Sequence, residues 1–178
     1  GNPVIIRGVG NPSFAGNGRA AHYLKGSYWI IDGIHWVNAR IRRGGGASPS
    51  DATFTSLRNC EISGWTQGGG TTMLGFGIAA TAHHDNIIYN CKIHDNGNLA
   101  DPVDPDNHGV GVGANNYNFW LVDSVLYNNA GDGIQINAGN ATNMPNTHHI
   151  YVGRNEAYGN RQTGIWTKQA VDVIFSQN

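Results

Sequence analysis

The chain is short of charge. Its 11 Lys and Arg nearly balance 12 Asp and Glu, so 13% of 178 residues are charged and the formal net charge is -1. That balance excludes a polycation that holds nucleic acid by neutralising phosphates, and it excludes a charge-expanded disordered tail. Long apolar runs are missing as well: no stretch nears the roughly 20 apolar residues of a membrane-spanning helix. Two cysteines, Cys60 and Cys91, are too few for a disulfide scaffold. No window of useful length repeats its apolar residues with a 3.6 period, which argues against amphipathic helices. The start at Gly1-Asn2-Pro3 carries no Met, charged leader or apolar signal core, and the last residues follow directly on Val173-Ile174-Phe175. This suggests a processed or excised piece of a longer chain.

What the chain has in excess is glycine and asparagine, 26 and 22 residues. Both are weak helix formers and strong turn formers. They punctuate a repeat. Five segments align: Trp29 to Trp36, Ser56 to Ser63, Ile87 to His94, Trp120 to Tyr127 and Tyr151 to Tyr158, with a sixth opening at Val173. The steps from Ile31 to Leu57, Ile88, Leu121, Val152 and Phe175 are 26, 31, 33, 31 and 23 residues. A constant segment at uneven steps is one structural rung with loops of variable length. A second signature follows the segments: Gly77-Ile-Ala-Ala, Gly109-Val-Gly-Val, Gly133-Ile-Gln-Ile and Gly164-Ile-Trp-Thr-Lys. Alternation of this kind is the period of a half-buried strand. Each rung therefore reads as strand, Asn-containing corner, strand, loop, strand, loop. Asn59 and Asn90 should stack one rung apart, with their amides bonded along the ladder. Cys60 and Cys91 hold equivalent places and should be two buried thiols.

The motifs Ile87-Ile-Tyr-Asn-Cys-Lys-Ile-His-Asp-Asn96 and Gly131-Asp-Gly-Ile-Gln-Ile136, with the opening Asn2-Pro-Val-Ile-Ile-Arg-Gly8, resemble the pectate-lyase-like superfamily over nearly the whole chain. The resemblance implies an all-β fold: a right-handed, single-stranded parallel β-helix solenoid of about six rungs, one domain over 1–178, uncapped at both ends. An ordinary β-sandwich is the alternative. The superfamily hosts lyases, hydrolases, isomerases, tailspikes and adhesins, so fold alone does not select the reaction.

In such a solenoid the third strand of each rung floors the usual substrate groove. Its expected members are residues 22–26, 39–43, 77–82, 110–114, 134–138 and 165–170. Alternation then turns Gln135, Asn137, Trp166 and Lys168 outward as a platform above buried Ile134, Ile136 and Ile165. Trp166 offers an apolar plate to a sugar ring, and Lys168 a counter-charge or base. A strand lysine resembles the catalytic lysine of family nine pectate lyases, which nominates Lys168, with Arg42 as the other candidate base. The loop Asp95 to His108 holds Asp101, Asp104 and Asp106 between prolines. It is similar to the acidic loops of pectate lyases, which implies calcium on those three carboxylates; ordinary Asp-Pro turn chemistry is the competing account. Eight histidines are many for this length, and His84 and His108 are the best candidates to line the groove, His108 as an acid–base group. Asp132, in Gly-Asp-Gly, ranks lower because that tripeptide is also common in turns.

Two functions follow as expectations. The first is a secreted or cell-surface carbohydrate-active protein that cleaves an acidic polysaccharide by β-elimination or binds it. The second is a non-catalytic structural or adhesive module. Bare solenoid ends leave end-to-end self-association open. Neither reading calls for nucleic acid or a membrane.

Overall fold

A computed structural model describes residues 2–16, 21–24, 26–43, 53–66, 72–76 and 82–178. The chain winds as a solenoid with three parallel sheets running its length. The first sheet holds seven strands, Val4–Arg7, Trp29–Asp32, Thr55–Arg58, His83–Tyr89, Asn116–Val122, His148–Gly153 and Val173–Ser176. The second holds six short strands, from Ser13–Ala15 to Glu156–Tyr158. The third also holds six: Ala21–Leu24, Arg40–Arg43, Thr72–Phe76, His108–Val112, Ile134–Asn137 and Ile165–Gln169. Among the described residues the one helical element is a short 3-10 turn, Met144–Asn146, and no helix is long and apolar enough to cross a membrane.

The rung register is the expected one. Ile31, Leu57, Ile88, Leu121, Val152 and Phe175 pair in sequence along the first sheet. The five from Ile31 to Val152 are fully buried and sit in one apolar core with Ile62, Ile93, Leu126, Val110, Ile134 and Ile136. Removing that surface from water, at roughly 25 cal/mol per Å², is the dominant favourable term.

Sharp corners between strands need left-handed backbone, and the sequence supplies residues that tolerate it. Asn59, Asn90 and Asp123, all with φ between 50 and 54°, form one corner column between the first and second sheets. Asn38, Asp95 and Asn128 do the same between the second and third. The Asn59–Asn90 ladder is present: Asn90 Nδ2 donates to Asn59 Oδ1 at 2.8 Å, and Asn59 Nδ2 donates to Asp32 Oδ1 at 2.7 Å. A second, buried ladder runs from Asn96 to Asn129 to Asn160, each bond 2.9 Å. Cys60 and Cys91 are buried free thiols.

Two expectations about the third sheet need correction. Its third member is Thr72–Phe76, not 77–82: Leu74 pairs with Ile41 on one side and Val110 on the other. The Gly77 signature follows the strand that the ladder uses, and residues 77–81 lie outside the described residues. The second correction is a register shift between the last two strands. Ile136 pairs with Thr167, but Asn137 pairs with Gln169. Lys168 is the extra residue of that bulge, and its side chain is exposed, as alternation expects.

Candidate functional site

The Gly-Asp-Gly turn leads into Ile134–Asn137, and its glycines are there for close approach. A Cβ on Gly131 would lie 2.7–2.8 Å from the Asn107 backbone, and one on Gly133 would strike the Gly164 carbonyl. This packing seals Asp132 beneath the surface at 1% exposure. The buried carboxylate is fully engaged. Thr163 N–H donates to Oδ1 at 2.9 Å, and Gln135 Nε2 and Trp166 Nε1 both donate to Oδ2 at 2.9 Å. Burial pushes the Asp132 pKa up, but hydrogen bonds with His108, Thr163 N–H and Gln135 outweigh it and hold the carboxyl below the usual range.

His108 bridges this buried carboxylate to an exposed one. The Asp132 backbone N–H donates to His108 Nδ1 at 3.0 Å. His108 Nε2 lies 3.3 Å from Asp106 Oδ1. Asp132 Oδ2 lies 3.2 Å from Nδ1, and the Asp106 side chain is 53% exposed. The order is Asp106, His108, Asp132, from solvent inward.

Four of the residues picked from the sequence meet here, with changed roles. Gln135 and Asn137 are half-buried outward neighbours, and Asn137 Nδ2 donates to Gln135 Oε1 at 3.2 Å. Trp166 is half-buried rather than freely exposed, because its indole N–H is tied to Asp132. His108 is buried behind Asp106. Lys168 is exposed at the bulge. His84 goes elsewhere: it lies on the first-sheet strand His83–Tyr89, with Nδ1 2.6 Å from Asp85 Oδ2 and its ring stacked on Tyr117 at 4.6 Å. Arg42 lies on the strand Arg40–Arg43, but its side chain is outside the described residues. Asp132, ranked low from the sequence, is the hub. Its signal was the pair of glycines around it, which turn chemistry alone explains equally well.

The acidic loop is built as a latch across rungs. Asp101 Oδ1 accepts Val103 N–H at 3.0 Å, and Asp104 Oδ1 accepts Asp106 N–H at 2.9 Å. Gln162 Nε2 donates to Asp104 Oδ2 at 2.6 Å and to Asp106 Oδ1 at 3.0 Å. Arg161 Nη1 donates to the Asp101 carbonyl at 2.8 Å. The Gln162 bond, then the Asp106 N–H, keep the Asp104 carboxyl below its ordinary value. These residues do not fit a calcium ion. An amide N–H donor occupies the space between the two carboxylates, and among the described residues no group of three or more His, Cys, Asp or Glu is placed to hold a metal. Millimolar calcium is therefore expected to leave the melting temperature unchanged. A rise that Asp104→Asn with Asp106→Asn abolishes would restore the calcium site.

A family model described as a right handed beta helix region matches residues 8–178. No curated protein matches the chain. Among solved structures it is similar to the A-module of the mannuronan C-5 epimerase AlgE4 of Azotobacter vinelandii, with 14% identity and a TM-score of 0.45. The alignment covers 97% of this chain and 57% of that one.

Proposed function

Since the chain belongs to the right-handed β-helix family, whose members share a fold and not a reaction, we propose from the site itself that it is a carbohydrate-active β-helix. A polysaccharide lies across the third sheet at Trp166, Gln135, Asn137 and Lys168, and Asp106, in contact with His108 and through it with Asp132, is the acid–base group at its edge. One observation carries this reading: a single buried carboxylate holds both platform side chains and the histidine that faces an exposed carboxylate. A buried, bonded network of this kind fixes the groups above it in one geometry. The platform side chains present amide donors and acceptors beside an indole, a combination suited to hydroxyl-rich rings.

The charge pattern refines the substrate. Asp101, Asp104 and Asp106 stand at this edge against Arg161 and Lys168. A polyuronate would meet net negative charge, so a neutral chain is the better partner than the acidic one suggested by the family resemblance. Non-catalytic binding is the second reading, favoured by the deep burial of His108 and Asp132.

The test is a panel of soluble glucans, mannans, xylans and polyuronates, followed by new reducing ends and by absorbance of unsaturated products. Turnover of a neutral chain is expected, and Asp106→Asn and His108→Gln should each cut it about 100-fold while binding persists. Binding without turnover selects the second reading. No binding to any chain overturns the proposal.

A further inference from the structure

The first sheet turns a different surface to solvent. The outward column beside the buried Ile88–Leu121–Val152 stack is Ile5, Ile30, Ser56, Ile87, Trp120, Tyr151 and Ile174. Only Ser56 is polar in this column. Ile5 is 54% exposed, Ile87 40% and Ile174 59%. An apolar stripe this long on a solvent face marks a binding surface more often than chance.

Its C-terminal half is shaped. A Cβ on Gly153 would run into the Tyr151 ring and its hydroxyl. The ring therefore lies over Gly153, with that residue's missing side chain making room for it. Trp120 is the register partner of Tyr151 one rung below, and Ile174 is its partner one rung above. Neighbouring rungs are about 4.8 Å apart, close to the length of one sugar unit. A concavity of about 480 Å³ opens among Trp120, Tyr151, Ile174, Asn118, His149 and Asp172.

The two sides of the stripe are polar. Asp85, Asn118, His149 and Asp172 make the corner column on one side. Asn90, Asp123, Arg154 and Gln177 make the other, with Arg154 bonded to Asp123 at 2.7 and 2.8 Å. That pairing leaves neither rim with a surplus of positive charge for an anionic chain. An apolar strip between two polar rims matches a ribbon-like polysaccharide. The C–H faces of its rings stack on aromatic faces, and its equatorial hydroxyls project sideways to the rims.

We propose that this face is a second carbohydrate-binding surface, which seats a neutral, β-linked chain on Trp120, Tyr151 and Ile174 and runs it along the solenoid. It goes beyond the third-sheet reading and stands on separate residues. The experiment titrates gluco-, manno- and xylo-hexaoses, β-1,4-linked, into the intact protein by calorimetry. Tyr151→Ala should remove one binding site per chain or weaken it at least tenfold. Gly153→Val should do the same with Tyr151 present, because the new side chain lifts the ring, while Tyr151→Phe should keep the site. Circular dichroism confirms that each variant is folded.

If the third-sheet reading also holds, wild type binds at two sites and Tyr151→Ala at one. If only the third-sheet reading fails, wild type binds at one site and Tyr151→Ala at none. Equal binding by wild type, Tyr151→Ala and Gly153→Val overturns the inference. So does a concentration-dependent dimer in sedimentation that Tyr151→Ala dissolves, since a second copy would then cover the face.

Discussion

Ile88→Asp is expected to leave no folded protein at 25 °C. Ile88 has no exposed surface and stands between Leu57 and Leu121 in the central column. The substitution forfeits about 1.5–3 kcal/mol of side-chain burial. It also leaves an unpaired carboxylate in an apolar interior, which costs several kcal/mol more or forces the group to take up a proton. Those terms together rival the whole stability of an ordinary domain, roughly 5–15 kcal/mol. In a solenoid each rung rests on its neighbours, so the damage does not stay local. The control is one residue away. Ile87 points outward and is 40% exposed, so Ile87→Asp should shift the urea midpoint by less than about 1 kcal/mol equivalent. Similar behaviour of the two variants would mean that the assignment of inner and outer faces is wrong.

Asp132→Asn should be the most damaging change at the third sheet. The asparagine keeps the shape but replaces one acceptor oxygen with an N–H₂ group. Either Thr163 N–H, or Gln135 Nε2 together with Trp166 Nε1, then faces a donor in place of its acceptor oxygen. A loss of about 3 kcal/mol is expected, the scale for breaking a buried, bonded charge. The same change should weaken binding at the third sheet although no platform side chain is altered, because Trp166 and Gln135 lose their common anchor. Its pH signature is specific. The folded pKa of Asp132 lies below its unfolded value near 3.9, so its contribution is full above that value and is lost as pH falls through the lower, folded one. Asp32, Asp95, Asp104 and Asp123 are also held low and titrate in the same acid window. The difference between wild type and variant isolates Asp132: it should shrink on acidification below about pH 4. Parallel acid curves, or an unchanged melting temperature, would remove Asp132 from its place as hub.

The solenoid was legible because its signals are local and repeated. The Ile31–Leu57–Ile88–Leu121–Val152 series recurs at every turn, and Asn or Asp stands at most of the equivalent corners, so one register error would have broken the whole series. The strand at Thr72–Phe76 was misplaced because the Gly77 signature resembles its neighbours while the ladder pairs Leu74 with Ile41 and Val110. The bulge at Lys168 was not legible, because it changes the pairing count by one and nothing in Ile165-Trp-Thr-Lys-Gln announces it, although Lys168 stays exposed. His84 was assigned to the groove from its position in a loop, yet the strand of the first sheet begins at His83.

By itself the sequence determined the repeated rung, the inward column and the outward placing of Gln135, Asn137 and Trp166, since each follows from alternation and spacing within a rung, and the family resemblance of its motifs supplied the solenoid. Tertiary structure decided what those residues do. The bonds that join Asp132 to Thr163, Trp166 and His108 span 31, 34 and 24 residues, and the Gln162–Asp104 bond spans 58. Such contacts depend on how far each loop between rungs projects and on which rung it folds against. Those distances are set by the stacking of rungs, about 4.8 Å apart, and not by any periodicity along the chain. The seat of Tyr151 over Gly153 has the same origin: two residues apart in sequence, they become a surface only when the strand is extended and its neighbours are in register.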